Sequence, residues 1–222
     1  ETQAQFIEYA ERNSYSHQQV LLPSEMNDVS SGEGLEQILV IAKSNVSATV
    51  HRAAKMDYIS IKRYDAQGKL EGERRFLGLY TSAAYNSNPQ VIPVLRHKVT
   101  SVMDKAKLPK NGHAAKALLN ILETYPRDEL FQSSKEDLFT ISTGILYLQD
   151  HPRVRLFVRK DTYNRFLSCF VFIPQENYNT TLRKQIQQIL CESFGSDKVD
   201  FDAVLSIFSI MSRAHFVVYT EG

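Results

Sequence analysis

The sequence predicts an α+β fold, and two patterns along the chain support this fold class. Residues Tyr58 to Tyr85 contain an alternating run at 58–64, a turn at Asp65–Gly68, and a return run at about 73–81 that carries Phe76, Leu77, Leu79 and Tyr80, as expected for a hairpin. After Ser134, a helix followed by two strands occurs twice in succession. This order is a permuted, αββαββ form of the ferredoxin-like arrangement, in which the helices pack on one face of an antiparallel sheet.

The first half of the chain combines short strands with amphipathic helices. Ile92, Leu95, Val99 and Val102 recur at helical spacing, and Pro89 suits the first turn of that helix. Pro126 ends the next helix because proline disfavours the helical conformation in the residue before it. The predicted elements are a helix at 3–12, a polar loop at 23–34, a buried strand at 37–43, hairpin strands at 58–64 and 73–81, and helices at about 89–106 and 113–123.

The second half carries clear capping signals. Ser134 is a predicted N-cap followed by an acidic first turn, and Asn179 is the predicted cap of a later helix that Gly195 ends. Between and after these helices, runs of β-branched and aromatic residues predict strands. The predicted elements are a helix to about residue 149, strands at 154–159 and 166–173, a helix at 180–194, and strands at 199–207 and 214–219.

The amino-acid composition disfavours several classes of function for this protein. Lysine and arginine total 26 against 25 aspartate and glutamate residues, a balance that argues against a general nucleic-acid or membrane-surface role. The apolar runs are shorter than the ~20 residues that span a bilayer. Two cysteines are too few for a disulfide framework and fit a reducing cytosol, so we expect a cytoplasmic protein. Because the chain starts at Glu1 without methionine, we also expect it to be a piece of a longer protein.

No catalytic, cofactor-binding or metal-binding residue is predicted in this segment. The Gly32–Gly34 pair lacks the third glycine and the preceding strand of a dinucleotide fingerprint, and P-loop, HExxH and CxxC motifs are missing. His215 lies in an apolar strand and is predicted to be a hydrogen-bonded sheet residue. Cys169 is predicted to be an inert, buried hydrophobic residue.

One cluster of basic residues is a candidate interface or effector patch, represented by Arg155, Arg159 and Arg165. Arg155 and Arg159 share one face of the predicted strand. Three interpretations remain open at this point: a solvated, charged sheet edge, a carboxylate-binding patch, or a contact with another subunit. RNA binding is disfavoured because the glycine- and aromatic-rich signature of RNA-binding sheets is missing.

Three stretches also carry a family resemblance: the hairpin at 58–85, KALLNILETYPRDELF at 116–131, and VRLFVRKDTYNRFLSCFVFI at 154–173. From about Val46 onward the chain resembles the N-terminal region of the large bacterial NAD-specific glutamate dehydrogenases. The resemblance implies a PAS-like domain at 1–125 and an ACT-like domain at 126–222.

It also implies a non-catalytic regulatory or assembly role. The parent enzyme would oxidise L-glutamate to 2-oxoglutarate and ammonium with NAD, while this segment would bind no cofactor. The expected partners are the catalytic and other domains of the same chain, further copies in a homo-oligomer, and an amino-acid effector, but neither nucleic acid nor a membrane. The alternative is a free-standing PAS/ACT-type small-molecule sensor or protein-interaction module, since fold alone does not set function.

Overall fold

The computed structural model describes residues 38–49, 54–109, 111–207 and 210–220, with only the backbone at 202–207. The chain forms two compact units, and the boundary between them lies between Thr81 and Ser82. The helix predicted at 3–12 and the loop predicted at 23–34 lie outside the described residues. The assignment of a PAS-like domain to 1–125 and an ACT-like domain to 126–222, with the boundary between them, stays a prediction. A division into compact units does not identify the family of a domain.

The first unit contains a three-stranded antiparallel sheet in the order β1-β2-β3. Its strands are Leu39–Ser47, Lys55–Tyr64 and Leu70–Gly78. The hairpin predicted between the second and third strands is confirmed. Asp65 closes its turn, since Oδ1 accepts hydrogen bonds from the backbone N–H of Gln67 at 3.0 Å and of Lys69 at 2.8 Å. Gly68 supplies the positive φ of +80° that this turn requires.

The second unit begins with a layer of helices. These are α1 (Ser82–Asn86), α2 (Pro93–Ala106), α3 (His113–Glu123), α4 (Arg127–Gln132) and α5 (Lys135–Asp150), with a 3₁₀ turn at Pro89–Val91 between the first two. Helices α2 and α3 pack against α5 through the apolar stripes predicted from the sequence. Leu95, Leu118 and Leu138 are completely buried in this layer. Buried apolar side chains therefore hold the layer together.

A four-stranded antiparallel sheet follows. Its elements along the chain are β4 (Arg155–Lys160), β5 (Phe166–Pro174), α6 (Thr180–Phe194), β6 (Val199–Ile207) and β7 (Met211–Tyr219). The strand order β4-β5-β7-β6 is the ferredoxin-like order with permuted connections, as predicted. The predicted caps of α6 are also confirmed: Asn179 Oδ1 accepts from the Leu182 N–H at 2.8 Å, and Gly195 ends the helix with φ +61°.

The prediction that the helices lie on one face of this sheet is wrong. Helix α6 packs on the face formed by Cys169, Val171 and Phe216. The opposite face carries Phe157 and Phe170, which contact α5 at Gly144 and the ring of Tyr125, respectively. The physical reason is visible in β5, whose residues are buried on both faces rather than on alternate positions. An almost continuous apolar strand requires a cover on each side.

The contact between α5 and β4 leaves no room for a side chain at Gly144. A Cβ atom added there would lie 2.5 Å from Phe157 Cε1 and 2.7 Å from Cζ. We predict that Gly144→Ala lowers the free energy of unfolding by about 1–3 kcal/mol, the usual cost of overpacking a core. Denaturant unfolding measures the change.

Gly78→Ala is the control, because a Cβ atom there meets nothing within 4 Å. Adding Phe157→Leu to Gly144→Ala should restore part of the lost stability by making room for the methyl group. Unchanged stability of the single Gly144→Ala variant would show that the ring moves aside at no cost.

Candidate functional site

The most elaborate polar arrangement in the described residues is an ion pair between the helical layer and the four-stranded sheet. Arg159 of β4 donates from Nε to Glu129 Oε2 at 2.8 Å and from Nη2 to Glu129 Oε1 at 2.9 Å. Both side chains are almost fully buried, with exposures of 3% and 4%. Two parallel hydrogen bonds fix the guanidinium and the carboxylate in one plane.

Local structure positions both partners. Alternation along β4 turns Phe157 and Arg159 toward the helices. Glu129 lies in the first turn of α4, where a negative charge is favoured by the helix dipole. The other end of α4 is held by Lys98, whose Nζ donates to the carbonyl groups of Phe131 and Ser133, both at 2.6 Å. The short helix is thus fixed at its start and at its end.

The electrostatics of Glu129 are decided by competition between burial and its partner. Burial alone would raise the pKa of this carboxyl group, because it disfavours the charged form. The charge and hydrogen bonds of Arg159 outweigh this effect, with smaller contributions from His215 and Ser168, so the pKa of Glu129 is lowered. Glu129 raises the pKa of Arg159 in turn, against the effect of burial. Both groups are therefore charged.

Further polar side chains surround this pair. Ser168 Oγ and His215 Nε2 lie 2.9 Å apart, which confirms His215 as a hydrogen-bonded sheet residue. A serine beside a histidine can form part of a nucleophilic site. Here Ser168 is only 1% exposed, so a substrate has no access to its hydroxyl. We therefore assign this contact to the packing of the sheet.

Tyr125 lies in the same region with its ring edge-on to Phe170 at a centroid distance of 5.5 Å. Its hydroxyl is buried and has no hydrogen-bond partner among the described residues. The pKa of Tyr125 is raised, chiefly by burial and then by the charge of Glu129. The hydroxyl is consequently neutral and acts as part of the packing.

The three arginines of the predicted patch are not equivalent. Arg159 is buried against Glu129, so a solvated position for this residue is wrong. Arg165 is half-buried and donates from Nε to Asp161 Oδ2 at 2.8 Å, which secures the β4–β5 turn. Arg159 and Arg165 share the ring of Phe166, each with its guanidinium carbon 5.9 Å from the centroid. Arg155 is exposed and lies 5.8 Å from the Phe157 centroid.

The structure therefore brings Arg159 and Arg165 together and leaves Arg155 on the outside. An interface or effector role of the three residues stays a prediction. Sequence reasoning missed Glu129 as the partner of Arg159, and it missed α4 altogether. The acidic pair Asp128–Glu129, two and three residues after Pro126, was the available signal, because it is typical of a helix start.

Other candidate chemistry is limited in the described part of the chain. Burial raises the pKa of the Cys169 thiol to about 12, with a smaller contribution from Glu129, which suits the predicted inert residue. Residues 38–49, 54–109, 111–207 and 210–220 contain no group of histidine, cysteine, aspartate and glutamate side chains arranged to hold a metal ion. Among the helices within those ranges, none has the length and apolar character needed to cross a membrane.

Two protein-family models match consecutive ranges of this chain. Residues 92–151 match the family model described as glutamate dehydrogenase, helical motif 1, and residues 155–222 match glutamate dehydrogenase, ACT2 domain. The first match covers α2 to α5 of the helical layer, and the second match contains the four-stranded sheet and α6. The second match supports an ACT-like fold for the sheet and α6.

Three relatives have the name NAD-specific glutamate dehydrogenase. The chain is 45% identical over 188 residues to the protein of Halomonas elongata, 37% over 184 residues to that of Pseudomonas aeruginosa, and 31% over 183 residues to that of Mycobacterium tuberculosis. These alignments cover 85%, 83% and 82% of this chain. They cover 12%, 11% and 11% of the relatives, so the chain spans about an eighth or less of their length.

The buried pair generates a prediction about stability and pH. Arg159→Leu leaves Glu129 buried without its cation, so we expect a loss of about 3–5 kcal/mol in the free energy of unfolding at neutral pH. Arg155→Leu is the control, since changes at exposed positions usually stay within about 0.5 kcal/mol. Denaturant unfolding of both variants measures the difference.

The sign of the pH dependence follows from the pKa shifts. In the parent chain the pKa of Glu129 is lowered, so its stabilising contribution is present above the ordinary carboxyl value and is lost as pH falls through the lowered value. In Arg159→Leu, burial without the cation raises the pKa, and protonation relieves the penalty. The deficit of the variant should therefore shrink from about pH 7 to about pH 5. A deficit that is constant over this range contradicts a charged, buried Glu129.

Proposed function

We propose that this chain, which belongs to the NAD-specific glutamate dehydrogenase family, is a non-catalytic regulatory and assembly segment of such an enzyme. The observation that carries the proposal is the joint match of its helical layer and its sheet to helical motif 1 and the ACT2 domain of that family. The longer protein would oxidatively deaminate L-glutamate to 2-oxoglutarate and ammonium, with NAD as the hydride acceptor. NAD and glutamate would bind elsewhere in that protein.

The geometry of the second unit supports a structural role in which a movement of the sheet is passed on to the helical layer. Glu129 and Arg159 connect the helical layer to the sheet by a bidentate pair that excludes water. Because of this connection, the helices would move together with the sheet whenever the sheet is displaced. Regulation in a multidomain enzyme requires elements of this kind, which move as bodies between discrete arrangements.

The partners proposed for this segment are other domains of the same chain and further copies in a cytoplasmic homo-oligomer. An amino-acid effector is a further proposal, since Arg155 is exposed and a guanidinium suits a carboxylate ligand. An effector regulates only if it binds two states of the assembly unequally. The PAS-like assignment of the first part of the chain belongs to the same proposal.

The test compares the full-length protein with the chain of residues 1–222 alone. We expect the full-length protein to reduce NAD in the presence of glutamate, as followed by NADH absorbance, and the isolated chain to produce no NADH above a blank. A full-length protein without this activity contradicts the proposed parent reaction. NADH formation by the highly purified chain contradicts the non-catalytic role.

A second arm addresses regulation and assembly. Arg155→Glu in the full-length protein should change its sedimentation or its activity response to added amino acids, whereas the conservative Arg155→Lys should change them less. Circular dichroism and thermal unfolding provide the control for folding. If Arg155→Glu matches the parent in both measurements, Arg155 is a solvated residue without a regulatory role.

A further inference from the structure

Within the part of the chain that the structure describes, the outer edge of β4 pairs with no other strand. Asp161 N–H donates to the Phe166 carbonyl at 2.9 Å, which makes these residues a hydrogen-bonded pair of the antiparallel ladder. Such pairs alternate along the strands, so Phe157 and Arg159 also direct their main-chain groups to β5. The N–H and C=O groups of Leu156 and Val158 therefore point to the other side of β4. Since β4 is the terminal strand, this side is the edge of the sheet.

The side chains of the same two residues are unusually exposed. Leu156 is 42% exposed and Val158 is 41% exposed, although both are apolar strand residues. They pair with Val171 and Cys169 on the face that α6 covers. Helix α6 packs over β6 and β7, and therefore leaves the β4 side of this face open.

The charges along this edge restrict the partner. From residue 153 to residue 160 every charged side chain is basic. Arg153, Arg155 and Lys160 are exposed, and none of them forms an ion pair within the described part of the chain. A second copy of β4 would bring only like charges to this edge, and directly opposed like charges destabilise a strand pair. A strand with carboxylates is complementary instead.

We propose that the outer edge of β4 binds a β-strand that alternates apolar and acidic residues and lies outside residues 1–222 of the same longer protein. Its main chain pairs with Leu156 and Val158, and its apolar side chains cover theirs. Alternation places its carboxylates on the opposite face, beside Arg155, and one further carboxylate at the end of its apolar face lies beside Lys160, which shares a face with Val158. Strand addition of this kind derives affinity from main-chain hydrogen bonds and specificity from alternate side chains. The inference rests on the proposed function only for the source of the strand, because the relatives are about eight or more times longer than the matched segment.

The test uses the full-length native protein and a zero-length carbodiimide reagent, which joins a lysine amine directly to a contacting carboxylate. We expect mass spectrometry to find Lys160 coupled to an aspartate or glutamate beyond this segment, at the end of an alternating apolar and acidic sequence. Leu156→Lys should lower the yield of this cross-link by about tenfold or more, as a loss of ~1.4 kcal/mol in affinity would. Val91→Lys, at a position 66% exposed, is the matched control and should leave the yield unchanged.

Amide hydrogen exchange provides a second measurement that needs no variant. The Leu156 and Val158 amides of the native protein should be protected to the level of paired strand amides. Exchange at the rate of open edge amides overturns the proposal, as does coupling of Lys160 only to residues 1–222 of a second copy or to a different protein. Glutamate oxidation is not a readout of either measurement, so failure of the proposed function leaves both results interpretable.

Discussion

The second unit depends on a charge pair placed where water cannot reach it. Glu129 and Arg159 are each about 3% exposed, and each would be strongly disfavoured in that position without the other. The pair therefore sets the position of α4 on the sheet, and through α4 the position of the helices that pack around it. Buried apolar side chains of the helices and of the sheet pack around this pair.

This constraint adds to the apolar character of β5 as a reason why the sheet is covered on two sides. In a ferredoxin-like domain with both helices on one face, the other face has no helix that could carry a glutamate and shield it from solvent. Here α5 and α4 cover the face that carries Phe157, Arg159 and Phe170, and α6 covers the opposite face. The helical layer thus replaces solvent on the second face. One consequence is that α6 alone must cover its own face, which leaves Leu156 and Val158 exposed at the β4 edge.

The sequence predicts the elements of this unit well because their signals are local. The helix at 113–123 has the predicted bounds, and the Asn179 and Gly195 caps act as their residue types indicate. The candidate site is different. Arg159 alternates with apolar residues in a way that suits either a solvated or a buried position, and its partner lies thirty residues earlier in a helix of only six residues. Such a short helix has too few residues for a periodic pattern, so only the acidic residues at its start indicate the helix, and nothing in the sequence indicates the pair.

The central claim is that Glu129 and Arg159 act as one unit rather than as two independent residues. A double-mutant cycle with Glu129→Gln, Arg159→Met and the combined variant, measured by denaturant unfolding at neutral pH, tests it directly. The account predicts that the double variant is far more stable than the sum of the single losses implies, with a coupling energy of about 2–3 kcal/mol. Losses that add to within about 0.5 kcal/mol would contradict it, because they would show that neither side chain depends on the other.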